Sequence, residues 1–128
     1  MTQEQKDLLL KDLCARLPYG VKGRVSSRDC NNRECEFVAT IDGKLYDRFA
    51  VPQELWFDNV IIKPYLFPLS SMTEEQKREY HELVGGFFGA SVLISIEGLT
   101  DFFNKNHIDY RGLIPMELAI DATDKNIY

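Results

Sequence analysis

The chain has 128 residues, of which 45% are hydrophobic and 12% aromatic, and its 15 basic and 20 acidic side chains give a net charge of −5. That length and apolar content suffice for a single globular domain over residues 1–128 without a metal or disulfide staple, and they exclude general disorder. No apolar run approaches the roughly 20 residues of a membrane span, and the acidic total weighs against nonspecific binding to polyanions.

Thr2 to Leu17 reads as a first helix, with Thr2 and Gln5 spaced as a capping box, acid early and base late. Leu9, Leu13 and Leu17, with Leu10 and Cys14 beside them, form its apolar stripe, and Pro18-Tyr19-Gly20 ends it. Val21 to Ser26 is a short strand, and Ser27 to Arg33 a polar loop. Cys35 to Ile41 and Lys44 to Val51 then form a hairpin about Asp42-Gly43. A two-residue loop places Phe37 opposite Arg48. A three-residue loop through Ile41 places Cys35 opposite Phe49, Ala39 opposite Leu45 and Glu36 opposite Arg48, and this register keeps like with like.

Pro52, Pro64 and Pro68 punctuate residues 51–69, which should run extended as a wrapping strap with at most a short strand at Val60 to Lys63. Ser71 with Glu74, and Thr73 with Gln76, are overlapping capping boxes that start a second helix. Tyr80, Leu83, Val84 and Phe87 face inward from it, and Gly85-Gly86 stops it. Val92 to Ile96 fits either a buried strand or the lead-in to a third helix from about Gly98 to Asn106. After a turn at Asp109 to Gly112, alternation of Ile114, Met116, Leu118 and Ile120 with polar residues predicts a final strand.

The expected fold is therefore α+β: a small, mainly antiparallel sheet with the N-terminal helix and one or two later helices on one face. Its core should contain Leu9, Leu13, Leu17, Phe37, Ala39, Phe49, Leu83, Val84, Leu99, Phe102 and Leu118.

An odd set of three cysteines and the absence of a charged-then-apolar leader point to a reduced, cytoplasmic setting. Cys30 and Cys35 with His81 and His107 could supply four zinc ligands. The two histidines, however, stand 26 positions apart, so neither metal nor cofactor is expected. Three further groups are candidate sites. His107, Asp109, Tyr110 and Arg111 bring a base, an acid, a phenol and a cation to a helix exit; catalysis there requires convergence with a carboxylate such as Asp101 or Glu97. The alternative is that Asn106 and Asp109 cap backbone groups, Arg111 finds a carboxylate and Tyr110 packs. Lys22, Arg24, Arg28 and Arg33 form a local basic strand and loop that could follow a nucleic-acid backbone, though four charges on an exposed hairpin edge more often serve to protect it from aggregation. Trp56, Phe57, Tyr65 and Phe67 are aromatic anchors that could dock a protein partner or simply cover the core. With no coherent catalytic motif, the best-supported expectation is a non-enzymatic protein-binding accessory factor, with nucleic-acid binding the alternative.

Three segments carry a resemblance: Leu13-Cys14-Ala15-Arg16-Leu17-Pro18-Tyr19-Gly20, the run Ile62-Lys63-Pro64-Tyr65-Leu66-Phe67-Pro68-Leu69 through Glu75, and Phe103-Asn104-Lys105-Asn106-His107-Ile108-Asp109-Tyr110-Arg111-Gly112 through Met116. Together they resemble a group of small uncharacterised proteins of gut Bacteroides-type bacteria and their prophages or mobile elements. The resemblance implies a compartment and a mobile-element context, and no activity.

Overall fold

The computed structural model describes residues 2–26, 33–41, 44–47, 54–55, 61–85 and 92–128. Helix α1 spans Gln3–Arg16, and the Thr2–Gln5 capping box closes in both directions, at 3.1 Å from the Gln5 N–H to Oγ1 of Thr2 and 3.0 Å back. The helix ends in a 3-10 turn and at Gly20, whose φ of 72° suits a residue without a Cβ.

Strands β1 (Lys22–Ser26), β2 (Arg33–Ile41), β3 (Lys44–Asp47), β4 (Glu54–Leu55), β5 (Ile61–Leu66) and β6 (Ile120–Asp121) form a sheet in the order β4-β3-β2-β1-β5-β6. Its pairings are antiparallel except β5 with β6, which is parallel. The fold is thus α+β with a mostly antiparallel sheet. Alternation along β1 sends Gly23 and Val25 inward and leaves Lys22, Arg24 and Ser26 half-buried on the opposite face. Leu9 and Leu13 of α1 meet the inner residues Val21, Val25, Cys35, Phe37, Ile62 and Leu66 in the core. Complete burial of each such leucine stabilises the fold by about 1.5–3 kcal/mol. Gly23 is required where Phe37 crosses β1, because a Cβ there would lie 2.6 Å from the Phe37 ring and 2.8 Å from the Lys63 carbonyl.

Each of the two hairpin registers read from the sequence describes one half of the observed pairing. Ile41 pairs with Lys44 and Thr40 with Leu45, as a two-residue loop demands, but Phe37 pairs with Asp47 after a bulge between Phe37 and Ala39. The bulge leaves Val38 43% exposed while Phe37 is fully buried. One extra residue on β2 therefore keeps the core face inward where a uniform register would not. Arg48, Phe49 and the Asp42-Gly43 turn lie outside the described residues, and the preferred pairing of Ala39 with Leu45 is replaced by Ala39 with Tyr46.

Strand β5 is longer than the expected Val60 to Lys63 and runs through Pro64. The Leu66 carbonyl faces β6, where it accepts the Ala122 N–H at 2.8 Å, so strand alternation turns the Pro64 nitrogen toward the same side. Strand β6 pairs only with Tyr65 and Leu66, and the missing proline donor thus falls just beyond that pairing.

Helix α2 spans Glu74–Gly85 and starts with the Thr73–Gln76 box, at 2.9 and 3.1 Å. The Ser71–Glu74 box is not formed; Ser71 sits in a 3-10 turn and donates to the Pro68 carbonyl at 2.7 Å. Helix α3 spans Val92–Lys105, so the apolar run at Val92 to Ile96 is helix and not strand. Helix α2 lies on α3, with Tyr80 against Phe102 and Phe103. This outer position leaves Leu83, Val84 and Leu99 half-buried, while Leu118 and Phe102 join the buried set as expected. Leu17 is likewise only partly buried and Cys14 is exposed, since the inward face of α1 also carries Asp12 and Arg16. Residues 113–117 form turns and only Ile120–Asp121 is strand. There the alternation of apolar residues reflects single side chains reaching the core from a turn.

Candidate functional site

The polar residues at the exit of α3 are arranged around its C-terminal cap. His107 takes a left-handed conformation, φ 57°, its N–H donates to the Asn104 carbonyl at 3.2 Å, and the Ile108 N–H donates to the Phe103 carbonyl at 2.8 Å. This double closure is a Schellman motif with histidine where glycine is usual. The turn delivers the ring beneath Tyr128, with ring centres 3.7 Å apart and planes 10° from parallel. His107 is 7% exposed, and its Nδ1 has no hydrogen-bond partner among the described residues. Burial, and then the positive charges of Arg16 and Lys22, lower its pKa from 6.5 to about 4, so the imidazole is neutral at pH 7.

Asp109 is committed to the backbone. Its two carboxylate oxygens accept the N–H groups of Leu113 and Ile114, each at 2.9 Å. Tyr110 stacks on Phe103 at 5.2 Å, and Asn106 donates to the Phe102 carbonyl at 2.9 Å. Arg111 reaches Asp12 at 3.1 Å and donates to the Tyr110 hydroxyl at 2.8 Å. Asp101 and Glu97 point to solvent from α3 and do not meet His107. The grooves lined by Lys22 and Tyr65, by Arg24 and Lys63, and by Leu17 and Val38 do not include His107 in their walls.

The centre of this cluster is a pair that spacing alone did not single out. Asp12 and Arg16, one helical turn apart on α1, are both wholly buried and form a two-pronged ion pair at 2.8 and 3.2 Å. Arg16 also donates to the Phe103 carbonyl at 3.3 Å and the Ile108 carbonyl at 2.6 Å, which ties α1 to the end of α3. The fork geometry of guanidinium explains why arginine fills this position: it can meet a carboxylate and two carbonyls at once. The one legible signal was an i,i+4 acid–base pair, which on a helix is usually a solvated surface feature.

Tyr128 secures the other side of His107. Its hydroxyl accepts the Lys22 N–H at 2.8 Å and reaches the carbonyls of Tyr65 at 2.9 Å and Lys22 at 3.2 Å, occupying the next rung of the β1–β5 ladder. Lys22 in turn donates from Nζ to the Ile127 carbonyl at 3.0 Å. Burial pushes the Tyr128 phenol well above its usual pKa.

The basic strand is not an edge. β1 lies between β2 and β5, and Lys22 and Arg24 stand directly opposite Glu36 and Glu34. Arg28 lies outside the described residues, and Arg33 is placed only as a member of β2. Of the aromatic anchors, Trp56 and Phe57 lie outside the described residues. Tyr65 is buried in β5 with its hydroxyl donating to Glu34 at 3.0 Å, which together with burial raises its pKa, and Phe67 packs on Tyr128. Tyr65 therefore belongs to the sheet and not to an exposed strap. Of the zinc-type residues, Cys30 lies outside the described residues, and Cys35 and His107 are buried while His81 is exposed. Among the described residues no three His, Cys, Asp or Glu side chains are grouped to hold a metal ion, and no helix is long and apolar enough to cross a membrane.

Among the described residues, the sheet face opposite the core is partly open to a ligand, although Tyr65 within it is buried. It carries Lys22, Arg24 and Ser26 from β1, Glu34, Glu36 and Val38 from β2, and Ile61, Lys63 and Tyr65 from β5. Ile61 is 56% exposed. A groove of about 250 Å³ lies there between Arg24, Ser26, Ile61, Lys63 and Ile120. Another, of about 420 Å³, is lined by Lys22, Glu34, Glu36, Tyr65 and Ile127 among others. In comparisons with protein-family models, curated proteins and solved structures, nothing matches this chain.

Proposed function

We propose that the chain is a non-enzymatic protein-binding accessory factor that docks its partner on the outer face of the sheet. The observation that carries this reading is the exposure of Ile61 and Val38, 56% and 43%, among charged side chains on the face that the core does not use. Apolar side chains ringed by polar ones are the usual composition of a protein contact. The acid, phenol and cation at the α3 exit support the same reading, because Asp109, Tyr110 and Arg111 are each spent on holding the backbone or on another side chain of the fold. In this reading the resemblance to small proteins of Bacteroides-type bacteria and their mobile elements supplies the context, a cytoplasmic partner in such a host.

Affinity capture from that host with the purified chain, repeated with Ile61→Asp and Val38→Asp, tests the reading. Both sites are solvent-facing, so the variants should keep the wild-type circular dichroism spectrum and lose the specific partner. Retention of every captured protein by both folded variants would remove the outer face from consideration.

A further inference from the structure

On the outer face Arg24 and Lys63 are direct cross-strand partners, a like-charge pair that costs stability unless something negative lies over it. Their surroundings divide unevenly. The Arg24 guanidinium sits 5.9 Å from the centre of the Tyr65 ring, on the side where Glu34 accepts the Tyr65 hydroxyl. Lys63 forms no ion pair among the described residues. Around these two cations the groove wall is completed by Ser26, by Ile61 at the start of β5 and by Ile120 of β6 beside the other end of β5.

We propose that this groove recognises an acidic extended segment of a partner protein, one carboxylate set against Arg24 and Lys63 and apolar neighbours resting on Ile61 and Ile120. The proposal rests on the protein-binding reading above and names the partner's chemistry. Three observations select this occupant. Arg24 and Lys63 meet directly across the strand pair at one point of the groove, which fits one carboxylate better than a run of phosphates. Glu34 and Glu36 lie on the same face opposite Arg24 and Lys22, where they would repel a continuing polyanion. The flanking isoleucines reward apolar side chains, which a peptide with alternating acid and aliphatic residues presents on one strand face. Such a segment lies across the side chains instead of adding a strand, because Pro64 withholds a backbone donor on the open side of β5 and Lys63 discourages edge pairing.

The test is an NMR titration of isotope-labelled protein with a short alternating glutamate–isoleucine peptide at low salt. The comparison ligands are an alternating lysine–isoleucine peptide, oligoglutamate and a single-stranded oligothymidylate. Expected are shifts confined to Arg24, Ser26, Ile61, Lys63 and Ile120 with the first peptide, weaker binding of oligoglutamate and none of the lysine peptide. Lys63→Gln and Arg24→Gln should each weaken binding about tenfold, the loss of one charge-assisted contact. Lys63 is solvent-facing and bonded to nothing described, so its variant stays folded even if Arg24→Gln does not. No localised shift at the highest soluble peptide concentration overturns the proposal, as does binding indifferent to Lys63→Gln. Tighter binding of oligothymidylate through the same residues also overturns it, in favour of a nucleic-acid site. If partner capture is lost in Ile61→Asp yet the acidic peptide does not bind, the docking face stands and only the assigned chemistry falls.

Discussion

The His107 ring lies flat under Tyr128 at 3.7 Å, and the tyrosine hydroxyl beyond it closes the β1–β5 ladder. A proton on that imidazole would be placed under cover and near Arg16 and Lys22, which is why its pKa falls to about 4. The stability consequence has a definite sign. The unfolded chain takes up this proton below about 6.5, whereas the folded chain refuses it until about 4. Stability from this group is therefore complete above 6.5, is lost as pH falls toward 4, and is level below that. At about 1.4 kcal/mol per unit the loss is roughly 3 kcal/mol. Urea unfolding at stepped pH should show this slope in the wild type, and a shallower one in His107→Gln, whose remaining slope comes from carboxylates. Parallel profiles for the two proteins would show that His107 is not protected from protonation.

Gly23 makes a second, purely steric prediction. Gly23→Ala sets a methyl 2.6 Å from the Phe37 ring and 2.8 Å from the Lys63 carbonyl, and a backbone oxygen in a central strand cannot retreat as a side chain can. Overpacking of this kind costs about 1–3 kcal/mol. Adding Phe37→Leu relieves the ring contact but not the carbonyl contact. The double variant should therefore fall short of the stability of Phe37→Leu alone, as read from denaturation midpoints.

Helix starts were legible in this sequence because a cap is a local affair of a few residues. Thr2 with Gln5 and Thr73 with Gln76 both close as read. Ser71 with Glu74 has the same letters and fails, since Pro68 first engages Ser71 in a 3-10 turn and only one N-cap can serve the helix. Thr73→Ala should accordingly cost about 1 kcal/mol and lower helicity, while Ser71→Ala should cost distinctly less. Equal losses would assign the cap to both.

Non-local facts were the ones that local patterns hid. The β2 bulge at Val38 keeps Phe37 in the core with Leu9 and Leu13 of α1, a contact distant in sequence, so neither uniform hairpin register could describe both halves. Pro64 argued against a long β5 because its chain position does not say that its missing donor would fall just past the short β6. The candidate polar residues His107 to Arg111 were visible as a group. Their employment was not, since it is decided by Asp12 and Arg16 at the other end of the chain.

That distant pair gives the last prediction. Arg16 is fully buried and holds Asp12, the Phe103 carbonyl and the Ile108 carbonyl together, so Arg16→Met strands a buried carboxylate with Arg111 as its remaining cation and leaves two carbonyls short of a donor. Breaking one member of a buried pair costs about 3–5 kcal/mol. Replacing both with Asp12→Leu and Arg16→Met removes the stranded charge, so the double variant should be more stable than Arg16→Met alone. Arg111→Gln takes away a cation whose side chain is 19% exposed, and it should cost only about 1 kcal/mol, the carboxylate still being held by the Arg16 fork. Chemical denaturation of the three variants decides between two accounts of the cluster. If charge compensation governs it, the order of stability is Arg111→Gln, then the double variant, then Arg16→Met. Should the double variant match Arg16→Met, the dominant role of Arg16 is instead its bonds to the Phe103 and Ile108 carbonyls, which both variants lose and the Asp12 substitution does nothing to restore.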